Sequence, residues 1–419
     1  MTKTLRYGAE SSIRIPTGCE SRLAHCDVPR GSAIADVAIA VDWALAEPLG
    51  YPPLAKAALP GDRVVLALAD GVPQVGTVLA RTIRVLEDAG VALSDITIVT
   101  TQRAGAPGDD PLDGLPDAIR SAVVVVHHDP NHRESLSYLA ASAAGDPIYV
   151  NHAIHDADLV ITVGCLRHDD SLGYFGVHST LFPAFSDAKS IKRFRAPQAN
   201  EPAERTRLTK LAEEVGWLLG AQFTLQVVPG EDGGVLHLLA GETEAVFREG
   251  RRRFAEAWVC DVEQPANLVI AAIGGDAGQQ TWDAFARALH AASSAVEENG
   301  AVAICCEISE NVGPALQRLA GADDPQKAIR TIGRQKPIDA PVAAELVRAQ
   351  QRGKVYLLSR LNDDLVEELG MVPIEPPQFE RLATRYGSTI LLPNAQYAMA
   401  RPCDEIPGDP SIAPANRRT

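Results

Sequence analysis

The chain has 419 residues and a formal charge of −15, from 39 basic against 54 acidic side chains. A surface that acidic repels phosphate backbones and argues against a nucleic-acid partner, although a local Arg/His cluster can still hold a small anion. Hydrophobic residues make up 46% and aromatic ones 5%, so the core must rest on Ala, Val, Leu and Ile, as in parallel sheets covered by helices.

Taken in order, short aliphatic runs alternate with helix-period segments. Val64–Ala69 leads into Asp70-Gly71, and Thr77–Ala89 follows with apolar residues at helical spacing and Gly90 as its stop. Ile96–Thr100 ends at Thr101-Gln102-Arg103, Ala122–Val126 at His127-His128-Asp129, and Leu159–Val163 at Gly164-Cys165. A second series begins with Leu268–Ile273, continues through a Trp282–Glu298 helix and an Ala301–Cys306 strand, and includes a Val355–Ser359 strand. Such alternation predicts an α/β fold of two α/β domains with mainly parallel sheets and an interdomain cleft. The proline-containing segment Cys260–Asn267 marks the boundary. It divides residues 1–262 from residues 265–395, leaving a tail, 396–419, that can pack back on the first domain.

The seven cysteines form no CxxC pair, so their spacing gives neither a metal motif nor a disulfide framework. Cys305 and Cys306 lie in an apolar run, where thiols behave as small hydrophobes. No apolar stretch reaches the ~18 residues of a membrane span, and Met1–Pro16 has no leader-like core. The expectation is a soluble, cytoplasmic protein without a membrane partner. Its oligomeric state is not encoded in any motif.

Open α/β sheets bind ligands beyond the carboxyl ends of their strands. The exits carrying polar groups are Asp70, Gln102/Arg103, His127/His128 and the stretch Gly164–Asp187, which holds Arg167, His168, Asp169, Asp170 and His178 among glycines. Neighbours on a strand face opposite sides, so at most one of His127 and His128 can face a given site. His152 and His155 sit at i and i+3 of a short helix, where a solvated face is the simpler reading. The run Gly274–Gly278 has the context of a phosphate loop but fits neither standard glycine motif.

Several stretches together resemble one family, the nickel-pincer-nucleotide-dependent lactate racemases and their hydroxyacid-epimerase relatives. They are Leu5–Gly8 with Ile13–Pro16, Leu45–Ala69, Ile148–Gly164, the Trp282–Gly300 segment and Gly353–Gly370. The resemblance implies two α/β domains around a cleft. In it a nickel held by a pincer nucleotide takes a hydride from a 2-hydroxy acid, and two histidines act as alternate bases.

Matched without gaps, this chain departs from that plan. Asp70 is kept, but Pro73 replaces an arginine, and Gln102 stands where a histidine base is expected, beside Arg103. Gly173, Gly176 and Pro183 fall on family positions, Asp169 falls on the second base, and a one-residue slip would put His168 there. Ser179 takes the place of the lysine that bonds to the cofactor, Arg195 that of a nickel ligand, and Arg287 that of a substrate-binding lysine.

The resemblance therefore implies a divergent 2-hydroxyacid racemase or epimerase with a noncovalently held cofactor. His168, Asp169, His178 and His128 are its catalytic candidates. Arg103, Gln102 and Arg287 would bind substrate, Asp70, Ser179 and Gly176 would bind cofactor, and no metal ligand is assigned. One alternative is a non-catalytic relative binding a small organic acid or nucleotide. Another is a different metal-dependent enzyme, with a metal at His127, His128 and His168.

Overall fold

The computed structural model describes residues 2–16, 22–101, 112, 114–168 and 173–402. The chain opens with strands β1 (Thr2–Tyr7), β2 (Ser11–Pro16) and β3 (Arg22–His25). Next come β4 (Val64–Leu68), β5 (Ile96–Thr100), β6 (Val124–His127), β7 (Leu136–Ala141) and β8 (Pro147–Asn151). β9 (Leu159–Cys165), β10 (Phe223–Pro229), β11 (Val235–Glu242) and β12 (Val259–Val262) follow. The last are β13 (Ala266–Ala272), β14 (Val296–Cys305), β15 (Lys354–Leu358), β16 (Val372–Pro373), β17 (Ser388–Leu392) and β18 (Met399–Pro402).

Two six-stranded sheets organise these elements, in the orders β11-β10-β9-β4-β5-β6 and β16-β15-β14-β13-β17-β3. The first is parallel except for β11, and the second is parallel throughout. The all-buried run of β4 has a direct cause, since both faces of its sheet are covered. Leu66 and Leu68 enter the largest core, while Val65 and Ala67 pack with Leu181 and Phe185 on the other side. That largest core also takes in Val269, Ala271 and Val302 of the second sheet. The opposite face of the second sheet is closed by Leu5, Ile13 and Ile15 of the β1–β2 hairpin and by Phe379 and Leu382.

Three features differ from the sequence expectation. The N-terminal strands, expected with residues 1–262, go with the second sheet: the β1–β2 hairpin packs on its face and β3 pairs with the edge of β17. A long-range parallel pairing of this kind leaves no local signature. The helix expected over 282–298 ends at Ser293, and the chain re-enters the sheet as β14 at Val296.

Lastly, Cys26 and Cys260 form a disulfide across 234 residues, with Cα atoms 5.8 Å apart. The bridge ties the exit of β3 to β12, while Cys165, Cys305 and Cys306 are buried free thiols. Such bridges persist in oxidising surroundings, which sets this one against the cytoplasmic expectation. Among the described residues no helix is long and apolar enough to cross a membrane.

The cross-link should stabilise the fold chiefly by restricting the unfolded chain. Cys260→Ser, or reduction of the native protein, is expected to cost about 2–4 kcal/mol in urea unfolding. Coincident curves with and without reductant would refute that role.

Candidate ligand-binding site

The exits of the first sheet meet the helix Trp282–Ser293 of the second half. That helix is capped by the Thr281 side chain, which accepts from the Ala284 N–H, and Asp283 sits in its first turn. An acid there complements the free amides of the helix N-terminus. Asp283 and Arg287 are four residues apart and share a helical face, yet the acid turns elsewhere. Its Oδ1 accepts from Arg195 Nη2 at 2.6 Å, while Arg195 Nε donates to the Ile338 carbonyl at 2.6 Å.

Water reaches this pair, whose side chains are 23% and 41% exposed. Desolvation works against both charges, but the mutual attraction wins. Asp283 is held at about 2 by Arg195, with help from Arg287 and Arg167. The Arg195 guanidinium is raised, also against desolvation, by Asp283 and then by Asp70 and Asp339.

Among the described residues Arg287 forms no ion pair, and Asp283 acts on it only at longer range. Desolvation first, and the Arg167 charge second, pull it down to about 9, with Asp283 and Tyr397 offsetting part of the effect. A guanidinium stays protonated at neutral pH, so the depression marks a cation that lacks its counter-charge. Arg287 Nε and Arg167 Nη1 are buried and have no hydrogen-bond partner. Leaving a buried cationic donor unpaired is costly. Two such donors, each within reach of the other's charge, define a place where an anion belongs.

Two neutral side chains lie nearby. Tyr397 is buried, its phenol pushed above the ordinary range by desolvation first, and it donates to Gln279 Oε1 at 2.6 Å. Gln279 in turn lies 3.5 Å from the Gly71 carbonyl. Gly71 has φ +70°, and a Cβ there would stand 3.4 Å from Arg167 Nη2. Glycine thus serves both the left-handed backbone and the approach of Arg167.

The structure sorts the expected site residues. Arg287 and Asp70 belong to this junction: Asp70 accepts from the Thr101 hydroxyl at 2.6 Å and its charge acts on Arg195. His168 is half-buried and adjoins Arg167 in the chain. Gln102, Arg103 and Asp169 lie outside the described residues.

His128 is a correction. It is buried, its Nε2 donates to the Ser186 carbonyl at 2.8 Å, and its Nδ1 accepts from Asn151 Nδ2 at 3.2 Å. Both nitrogens are spent on holding β6 to its neighbours, so neither is free for a base or a metal. His178 packs beneath the helix Pro202–Leu218, where a Cβ on Gly216 would come within 2.5 Å of its Nδ1.

Ser179 is consumed locally. Its hydroxyl donates to the Gly176 carbonyl at 2.6 Å and accepts from the Phe175 N–H at 3.2 Å. Gly176, at φ +84°, caps that turn. The metal reading at His127, His128 and His168 fails with His128. Among the described residues no group of three His, Cys, Asp or Glu side chains is placed to hold a metal.

The nickel-pincer nucleotide that the resemblance implies therefore does not fit these residues. Ser179 has no amine and a committed hydroxyl, and Arg195 brings a paired cation where a metal ligand is expected. Sequence reasoning noted Arg167 without giving it a role and missed Asp283, Gln279 and Tyr397. The acid-base spacing of Asp283 and Arg287 after a glycine-rich exit was a usable signal, whereas Tyr397 had none.

The fold defines an α/β protein built on two mainly parallel sheets, and comparison with known proteins gives it relatives. The lactate racemase N-terminal domain family matches residues 7–206. A lactate racemase of Thermoanaerobacterium thermosaccharolyticum is 21% identical over 276 residues, 61% of this chain and 63% of that protein. The chain therefore spans a little under two thirds of that relative in sequence. The structure of the lactate racemase apoprotein from the same organism superposes with TM-score 0.78 at 17% identity, covering 96% of this chain and all of that one. A Thermotoga maritima protein solved by structural genomics gives TM-score 0.66 at 14% identity, over 87% of this chain and 98% of that one. The chain is thus similar to lactate racemases, in sequence over its first half and in fold over nearly its whole length.

Burial lowers the pKa of His128, opposed by its hydrogen bond to Ser186. The unfolded chain then takes up this proton first. The stability held by the neutral ring is complete above about pH 6.5 and declines as pH falls below it. His128→Ala should cost about 1–3 kcal/mol at pH 7.5 and flatten the fall in stability as pH drops below about 6.5. Unchanged stability with altered ligand affinity would instead make His128 a binding residue.

Proposed function

We propose that this chain binds a small organic acid at the junction of its two halves, as a lactate racemase-like protein that works without the nickel-pincer cofactor. The observation that carries the reading is the pair of buried, partnerless guanidinium nitrogens on Arg167 and Arg287. A carboxylate is the natural acceptor for such forks. Asp70, Gln279 and Tyr397 line the same junction with groups suited to a 2-hydroxy or 2-keto oxygen.

A divergent racemase is the weaker reading. Racemisation needs proton acceptors on both faces of the α-carbon. Of the histidines named as bases, His128 and His178 are occupied in packing, which leaves His168 beside Arg167.

The test is calorimetric titration with lactate, glycerate and pyruvate, on the parent protein and on the double variant Arg167→Gln/Arg287→Gln. The parent should bind at least one of these acids and the double variant none, because each lost charged contact costs about 1.5–3 kcal/mol. The ligand-free double variant should melt no lower than the parent, since it removes two buried cations without partners. Equal binding by both proteins would sink the proposal.

A further inference from the structure

Charge at the junction is unevenly shared. Asp283 is taken by Arg195, and Asp339 accepts from the amides of Ala315 and Leu316 at the start of another helix. Asp70 holds the Thr101 hydroxyl, and Asp276 caps the turn at Gly278. Among the described residues, none of these carboxylates forms an ion pair with Arg167 or Arg287.

The two guanidiniums act on the same surroundings. Both are felt by Cys165, Asp283 and Tyr397. Tyr397 is held neutral and offers no counter-charge. Nor does the global field help, for a chain of net charge −15 repels anions at long range. Whatever balances these cations must do so by contact.

A single carboxylate can satisfy one guanidinium fork bidentately. It would leave the second arginine buried beside the first and still unpaired, the arrangement that costs most. From this we infer that the preferred ligand is a dianion, a dicarboxylate or a phosphomonoester, with one charged group on Arg167 and the other negative charge on Arg287. The inference rests on the reading of the junction as an organic-acid site and narrows it to a charge class. Dicarboxylate and phosphomonoester share the chemistry that the arginines recognise, and titration separates them.

The experiment compares matched pairs at fixed ionic strength and pH 7.5. Lactate is set against malate, and glycolate against methyl phosphate, with inorganic phosphate as a further probe. At least one dianion should bind tenfold or more tighter than its monoanionic partner. The same ratio in Arg287→Gln should fall to within about threefold while the monoanion still binds, and Arg287→Lys should restore part of it.

Equal affinity for the members of both pairs would overturn the inference and leave the organic-acid reading standing. Binding of no acid at all would overturn that reading too. A dianion preference that survives Arg287→Gln would also defeat the inference, because the second charge would then be met elsewhere. Circular dichroism and the melting curve of each variant confirm that a lost ratio is not a lost fold.

Discussion

One ion pair decides the charge pattern of the junction. Arg195 closes the short helix Ala188–Phe194 and reaches across to Asp283 and the Ile338 carbonyl. In doing so it removes the acid that helical spacing would otherwise give to Arg287. A partly desolvated pair of this kind adds little net stability, because the cost of stripping water from both ions offsets their attraction. Its consequence is positional: it joins two parts of the chain and leaves a pair of bare guanidiniums beside the contact.

The legible parts of the sequence were those whose physics is local. β4, β5 and β15 read directly, since strands buried on both faces must be short aliphatic runs. The Val75–Asp88 helix was visible for a similar reason, through its apolar stripe. The pairing of β3 with β17 was not, because a strand of four residues says nothing about a partner more than three hundred residues away. The Cys26–Cys260 bridge escaped on the same ground.

The site was legible in outline and misread in detail. Histidines near strand exits suggested proton transfer, since residue type carries that meaning. Whether a ring nitrogen is available depends on its neighbours, and Ser186 and Asn151 take both from His128. Arg195 was seen as a lost metal ligand, a negative statement. Its actual work, holding Asp283, appears once the two segments are side by side. Arg287 was read as a cation for substrate, but its lack of an ion pair could not be read from spacing that seemed to supply one.

Fold and chemistry separate cleanly in this chain. A TM-score of 0.78 at 17% identity shows that the backbone arrangement tolerates wide substitution, because aliphatic residues replace one another at small cost when volume and pattern are kept. Reaction chemistry has no such tolerance, since it hangs on single atoms such as a lysine amine or an imidazole nitrogen. At the positions where the resemblance expects such atoms, this chain has a tied serine hydroxyl and a paired guanidinium. On the organic-acid reading proposed above, what the junction asks of an occupant is neutralisation of charge at Arg167 and Arg287. An occupant that meets this demand stabilises the folded chain by mass action, and relieves a repulsion between Arg167 and Arg287 that the protein alone leaves standing.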